Sequence, residues 1–164
     1  MLERYNEIFK DSLEIISSLA IVIMGEGEGV SAKEKKWIAH SLLNRLNYPL
    51  RVFDPIDNDN DNLPDLEDIL KDFDGYKRSF AVTNKIEREA LKTSIKIAIE
   101  CFNEYQLGID PTNNSVFFIT KLAYNKYKNE GKTLNDIFTR YYNLEITNDL
   151  NDNFQHVFVK LIEE

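Results

Sequence analysis

The residue pattern predicts a mostly helical α+β domain with a small antiparallel sheet, and three observations predict it. Residues 4–24 and 85–107 carry apolar side chains at helical spacing over several turns. Between them "SAKE" (31–34) is a helix-opening signature, Ser31 capping and Glu34 answering three positions later. Two short β-rich runs, "SVFFIT" (115–120) and "QHVFVKLI" (155–162), have the length and composition of strands that could pair as an antiparallel ribbon. At 164 residues, with no internal repeat and no long linker, the chain is expected to fold as one domain large enough to bury a core without staples.

The elements follow in order. In 4–24, Tyr5, Ile8, Phe9, Leu13, Ile16, Leu19, Ala20 and Ile23 fit a helix buried increasingly toward its C-terminal end. "GEGEG" (25–29) ends it, because glycine supplies the positive φ that helix C-termini use. The helix opened by Ser31 runs through Trp37, Ile38, Leu42 and Leu43 to about Leu46. The third long helix presents Ala90, Leu91, Ile95, Ala98, Phe102 and Tyr105 along one face, and Gly108 stops it. Thr133 with Asp136 starts a further helix through Tyr141.

Composition narrows the function classes. The net charge is −8 and no Lys/Arg cluster is dense enough to offset phosphate repulsion, which argues against sequence-independent nucleic-acid binding. The longest apolar run, around "IVIM" (21–24), is too short to span a bilayer, so no membrane insertion is expected. The N-terminus lacks the basic start of a secretion signal, and synthesis as a soluble cytoplasmic chain is the expectation. The single cysteine, Cys101, cannot form an internal disulfide and lies on the apolar side of its helix, as a buried inert thiol would.

Two stretches hold the carboxylates that bear on chemistry. In "DPIDNDNDNLPDLED" (54–68), Asp57, Asp59 and Asp61 alternate as positions 1, 3 and 5 of a calcium loop do. The carbonyl of Leu63 would serve at position 7, with Asp65 at 9 and Asp68 at 12. Asn62 stands where such a loop usually has glycine, and the run is closer to thrombospondin type 3 calcium repeats than to an EF-hand. Bound Ca2+ would be structural; a solvated acidic loop is the plain alternative. The second stretch, "IVIMGEGEGVSAKEKKWIAHSLLNRL" (21–46), sets Glu26 directly after a buried apolar run, with Glu28 further into the turn. Partial burial is what raises a carboxyl's pKa enough for acid chemistry near neutral pH, whereas solvated turn glutamates are common.

The same stretch resembles the opening motif of the SleB/CwlJ family of cell-wall hydrolases. There a helix ends in an aromatic-Gly-Glu-Ala-Arg-Gly-Glu run and the next helix ends in Leu-Asn-Arg. Gly25, Glu26, Gly29, Ser31, Leu43, Asn44 and Arg45 fall on that pattern without a gap. Further on, Asp110, Pro111, Thr112 and Phe118 match the family's Asp-Pro-Thr-Gly-Gly-Ala-x-x-Phe segment, with Asn113 and Asn114 in place of the glycines. "NFQHVFVK" (153–160) is similar to its Gly-Asn-His-x-Phe strand through His156 and Phe158.

The resemblance implies a lysozyme-like single domain that cuts peptidoglycan glycan strands, mainly as a lytic transglycosylase, with Glu26 as the catalytic acid/base. Glu28, Asn44, Phe118 and His156 are the substrate-contact candidates it suggests. Without a signal, such an enzyme would need a delivery partner such as a holin, a virion or a secretion machinery. Val30 replaces the family's second motif glutamate, Glu28 stands where arginine is frequent, and Phe154-Gln155 replaces the Gly-Asn before the histidine. Two other readings therefore stand beside the enzyme: a non-catalytic structural or interaction protein, for example in a virion, that keeps the fold and binds calcium, and a calcium-dependent binding domain unrelated to hydrolases. His40, on a helix face beside Trp37 and Leu43, is expected to be a surface or packing residue, and Phe117, Phe118 and Phe158 core residues of which one could line a sugar subsite.

Overall fold

The computed structural model describes residues 2–26, 29–48, 85–138 and 142–162, with side chains from Asp11 onward. The chain is α+β and mostly helical. Helix α1 (Leu2–Glu26) leads through the turn at Gly29 to α2 (Ala32–Asn44), which tightens into a 3-10 turn at Arg45–Asn47. Helix α3 (Lys85–Gln106) precedes strand β1 (Ser115–Thr120), and short helices α4 (Lys121–Asn129) and α5 (Leu134–Ile137) follow. Strands β2 (Asn143–Ile146) and β3 (His156–Ile162) close the chain.

The long helices form because their apolar spacing gives each a stripe to bury. Leu19, Ala20, Val22 and Ile23 of α1, Ile38, Ala39, Leu42 and Leu43 of α2, and Ile97, Ala98, Cys101 and Phe102 of α3 share one core, with Phe158 of β3 inserted among them. Removing that much apolar surface from water is the main force holding the three helices together. Leu13 lies before the buried stretch of α1 and is exposed, as the expected gradient of burial requires. The face of α3 is rotated slightly from the expected one: Ser94 is buried with Ile97, Ala98, Cys101 and Phe102, while Ile95 points to solvent.

The anticipated ribbon is present. Strand β1 pairs antiparallel with β3, aligning Phe118 with Phe158 and Thr120 with His156, and a bulge lies between Ser115 and Phe117. β2 pairs on the other side of β3 with Glu145 opposite Lys160, so the order is β1-β3-β2. β3, the last element, is therefore the central strand. Its residues 156–159 are all buried because both faces are covered. Phe158 faces the helical core, while Val157, Val159 and Leu161 pack with Tyr124, Leu134 and Phe138 on the opposite side.

Several expectations need correcting. The Ser31 hydroxyl accepts from the Glu34 N–H at 3.2 Å, but the Glu34 side chain is drawn away to β3, so only half of the expected capping box forms. The full box is at Thr133 and Asp136, where both reciprocal bonds are made. The helix it opens ends at Ile137 rather than Tyr141; residues 139–141 lie outside the described residues. Helix α4, capped by Thr120, and strand β2 were not anticipated. Among the described residues no helix is long and apolar enough to cross a membrane.

Candidate functional site

Glu26 is the last residue of α1 and is half-buried. Gly29, three residues beyond the end of that helix, takes φ +76°, a backbone conformation that side chains disfavour, and its carbonyl accepts from the Gln155 side-chain amide at 3.4 Å. Gly29 therefore lies against the entry to β3. Glu28 lies outside the described residues, as do Asp57, Asp59, Asp61, Leu63, Asp65 and Asp68 of the expected calcium loop. Among the described residues no group of three or more His, Cys, Asp or Glu side chains could hold a metal ion.

One helical turn into α2 sits a side chain whose role the spacing of a cap concealed. Glu34 is 1% exposed, the one fully buried carboxylate among the described residues. Its Oε1 accepts from the backbone N–H groups of Gln155 and His156, each at 2.8 Å, and lies 2.6 Å from His156 Nδ1. A buried carboxylate is costly unless such donors converge on it. A carboxylate can only accept, so this contact places a proton on Nδ1 and orients the ring. His156 is itself buried, and its ring stands edge-on to Phe118 with centroids 5.8 Å apart. Phe118 in turn meets Phe158 at 6.0 Å, and Phe158 meets Trp37 at 5.2 Å. The position of Glu34 was legible in one respect: it stands four residues before Ile38 and eight before Leu42, on the apolar stripe of α2.

At the other end of α2, Asn44 is buried and its Nδ2 lies 2.9 Å from the Ser115 carbonyl, 3.1 Å from Asp110 Oδ2 and 3.2 Å from the Thr112 hydroxyl. Arg45 follows with its Nε donating to the Val116 carbonyl at 2.6 Å and its guanidinium over the Phe117 ring. Asp110 is the hub of the facing turn: Oδ1 accepts from the Thr112 N–H and hydroxyl, and Oδ2 from the Asn114 N–H. That turn holds Asn113 and Asn114 at φ +53° and +64°, the left-handed region that asparagine tolerates best after glycine.

Three groups outside this framework, His40, Glu104 and Cys101, complete the electrostatics. His40 is fully buried, with Nε2 3.3 Å from Glu104 Oε2 and, among the described residues, no hydrogen-bond partner for Nδ1. Burial pushes its pKa below the ordinary value, against the raising pull of Glu104 and Asp110. Burial also works to raise Glu104, but the hydrogen bond and charge of Lys36, and then His40, outweigh it and hold that carboxyl low. Cys101 is fully buried and burial pushes its thiol up to about 12, the inert state its helical position predicted.

The structure thus brings His156 and Phe118 together beside the glycine turn that follows Glu26, and places Asn44 at the far end of α2 as a tie between α2 and β1. No protein-family model matches the chain, no curated protein matches it, and no solved structure matches it.

Proposed function

We propose that this protein cleaves the glycan strands of peptidoglycan, as a lysozyme-like lytic transglycosylase with Glu26 as its general acid/base. One observation carries the reading: the three segments that resemble the SleB/CwlJ motifs, far apart in sequence, meet through side chains at the motif positions. Gly29 receives Gln155, His156 packs on Phe118, and Asn44 binds Asp110 and Thr112. Further support comes from the backbone: Gly29, Asn113 and Asn114, which stand at glycine positions of the pattern, all have positive φ.

In this reading protonated Glu26 donates to the oxygen of the β-1,4 bond between N-acetylmuramic acid and N-acetylglucosamine, and the C1–O bond breaks. The carboxylate then takes the proton of the muramic acid C6 hydroxyl as that oxygen bonds to C1, giving a 1,6-anhydro ring and regenerating the acid. One carboxyl suffices, whereas a retaining glycosidase needs a second about 5 Å away. Glu34 is a poor candidate for that second role, since three donors already converge on its Oε1. His156, its ring fixed by Glu34, and Phe118 beside it would contact the sugar from the sheet side; Glu28 and Asn44 remain substrate-contact candidates of the motif. The substrate lies outside the cytoplasm, so a virion, holin or secretion machinery would deliver the enzyme. Calcium bound by the 54–68 loop would be structural and take no part in the chemistry.

The test is digestion of purified sacculi by wild type and Glu26→Gln, with mass spectrometry of the released fragments. Anhydro-muropeptides are expected from wild type, with a fall of about 10²-fold or more in the variant. Release undiminished in Glu26→Gln would remove its role. No release by folded wild type would favour the non-catalytic structural or interaction protein.

A further inference from the structure

One face of α2 meets α3 through polar side chains set four residues apart. Lys36, His40 and Asn44 follow one another at successive turns, and each reaches a carboxylate on α3 or just after it. Lys36 Nζ binds Glu100 at 3.1 Å and Glu104 at 3.0 Å. His40 Nε2 lies 3.3 Å from Glu104 Oε2, and Asn44 Nδ2 donates to Asp110 Oδ2 at 3.1 Å. The Ile109 N–H donates to the Glu104 carbonyl at 2.8 Å, so the turn that carries Asp110 is fastened to the residue that holds His40.

The middle contact differs from the outer two. Lys36 is partly exposed, and Asn44 Nδ2 lies within hydrogen-bond distance of three acceptors. His40 is fully buried, and its Nδ1 is the one buried side-chain nitrogen or oxygen among the described residues without a hydrogen-bond partner. A carboxylate only accepts, so Nε2 carries the proton that faces Glu104, and a second proton would have to enter at Nδ1. There it meets no acceptor, and a buried charge that is not fully hydrogen-bonded is disfavoured. Burial is the strongest influence on the ring and opposes its charged form; Glu104 from α3 and Asp110 from the turn after it attract that form without offsetting burial, and Lys36 from its own helix repels it. Burial also raises the Cys101 thiol and the Tyr105 phenol of α3, so both stay neutral in acid. β1 carries no titratable side chain, and the core residues of α1 are apolar.

We propose that the α2–α3 seam is a proton-operated latch, in which a proton taken up at His40 Nδ1 drives the ring from the seam and releases the Asn44–Asp110 contact one turn further along α2. The two events share a carboxylate: Asp110 attracts the charged ring and is also the acceptor of Asn44. Release loosens the turn of Asn113 and Asn114, which Asp110 holds through the Thr112 and Asn114 N–H groups. Burial fixes the direction: the latch is closed above the ordinary histidine value of 6.5 and opens as pH falls toward the lower folded value. The core shared by α1 and α3 and the β1–β3 ribbon carry none of these contacts and stay in place. The inference stands on the seam alone and does not depend on cleavage at Glu26.

The experiment is an NMR pH titration of the full-length, isotope-labelled protein, run across and below pH 6.5 in wild type, His40→Gln and Glu104→Gln. It follows the backbone amides and the two histidine rings, which give separate signals. In wild type the amides of Asn44, Thr112 and Asn114 are expected to shift along the single-proton curve of His40, while those of residues 19–23 and 157–161 hold. His40→Gln cannot take up the proton and is expected to lose this transition. Glu104→Gln removes an attraction for the charged ring, so its transition is expected at lower pH; this variant carries the test if His40→Gln does not fold. Turn amides that stay still while His40 titrates, follow the ring of His156, or keep their transition in folded His40→Gln would each overturn the proposal. So would an unmoved midpoint in Glu104→Gln, or the loss of all native signals in one step.

Discussion

Glu34 ties α2 to the start of β3 through a single oxygen. Three donors from Gln155 and His156 converge on one oxygen of a residue that is 1% exposed. Glu34→Ala would leave those donors without their acceptor, and chemical denaturation is expected to show a loss of about 3–5 kcal/mol. Glu34→Gln keeps an acceptor and the shape but loses the charge, so a smaller loss of about 1–2 kcal/mol is expected. A Glu34→Ala loss below that of the glutamine variant would mean the buried carboxylate contributes nothing net.

His40 gives the second residue-scale prediction. Burial lowers its folded-state pKa below the ordinary 6.5, so the unfolded chain binds the proton more readily. The stability from keeping the ring neutral is present above pH 6.5 and lost as pH falls toward the folded value. Glu104, Lys36 and Asp110 are the charges acting on it, and Glu104 and Asp110 partly offset the burial. Urea midpoints measured across that window are expected to fall with decreasing pH in wild type and to fall less steeply in His40→Gln. Parallel profiles would assign the dependence to other groups.

At the scale of elements, α2 is held by a side chain at each end. Ser31 caps its N-terminus, and Ser31→Ala is expected to cost about 1 kcal/mol in an unfolding titration. Asn44 ties its C-terminus to β1 and to the Asp110 turn. Asn44→Asp would set a carboxylate 3.1 Å from that of Asp110, and a lowered Tm, recovering as both acids protonate at low pH, is expected. A Tm unchanged at neutral pH would mean the turn opens freely to separate them. The loop before β3 has its own anchor: Lys121 binds Asp152 at 2.7 Å, and Asn148 accepts from the Phe158 N–H. These contacts position His156 at the strand start facing Glu34.

For the molecule as a whole, the reading of 54–68 as a calcium loop predicts a measurable linkage. Calcium that binds only the folded chain raises Tm with concentration, and chelation reverses it. Differential scanning calorimetry of wild type and a combined Asp57→Asn, Asp59→Asn variant is the measurement; a Tm insensitive to calcium in wild type would leave the segment a solvated acidic loop. The sequence by itself determined the three long helices, the β1–β3 pairing, the caps at Ser31 and Thr133 and the burial of Cys101, because periodicity, turn chemistry and capping act over a few neighbouring residues. It also singled out Glu26 and the motif segments, though not how the latter would meet. The placement of β3 at the centre of the sheet and the capture of Glu34 by His156 were decided only by the tertiary structure. Glu34 and His156 are 122 residues apart, and a local cap and a distant buried donor compete for the same carboxylate. Which of them wins depends on the packing that brings β3 against α2, and no local pattern encodes that distance.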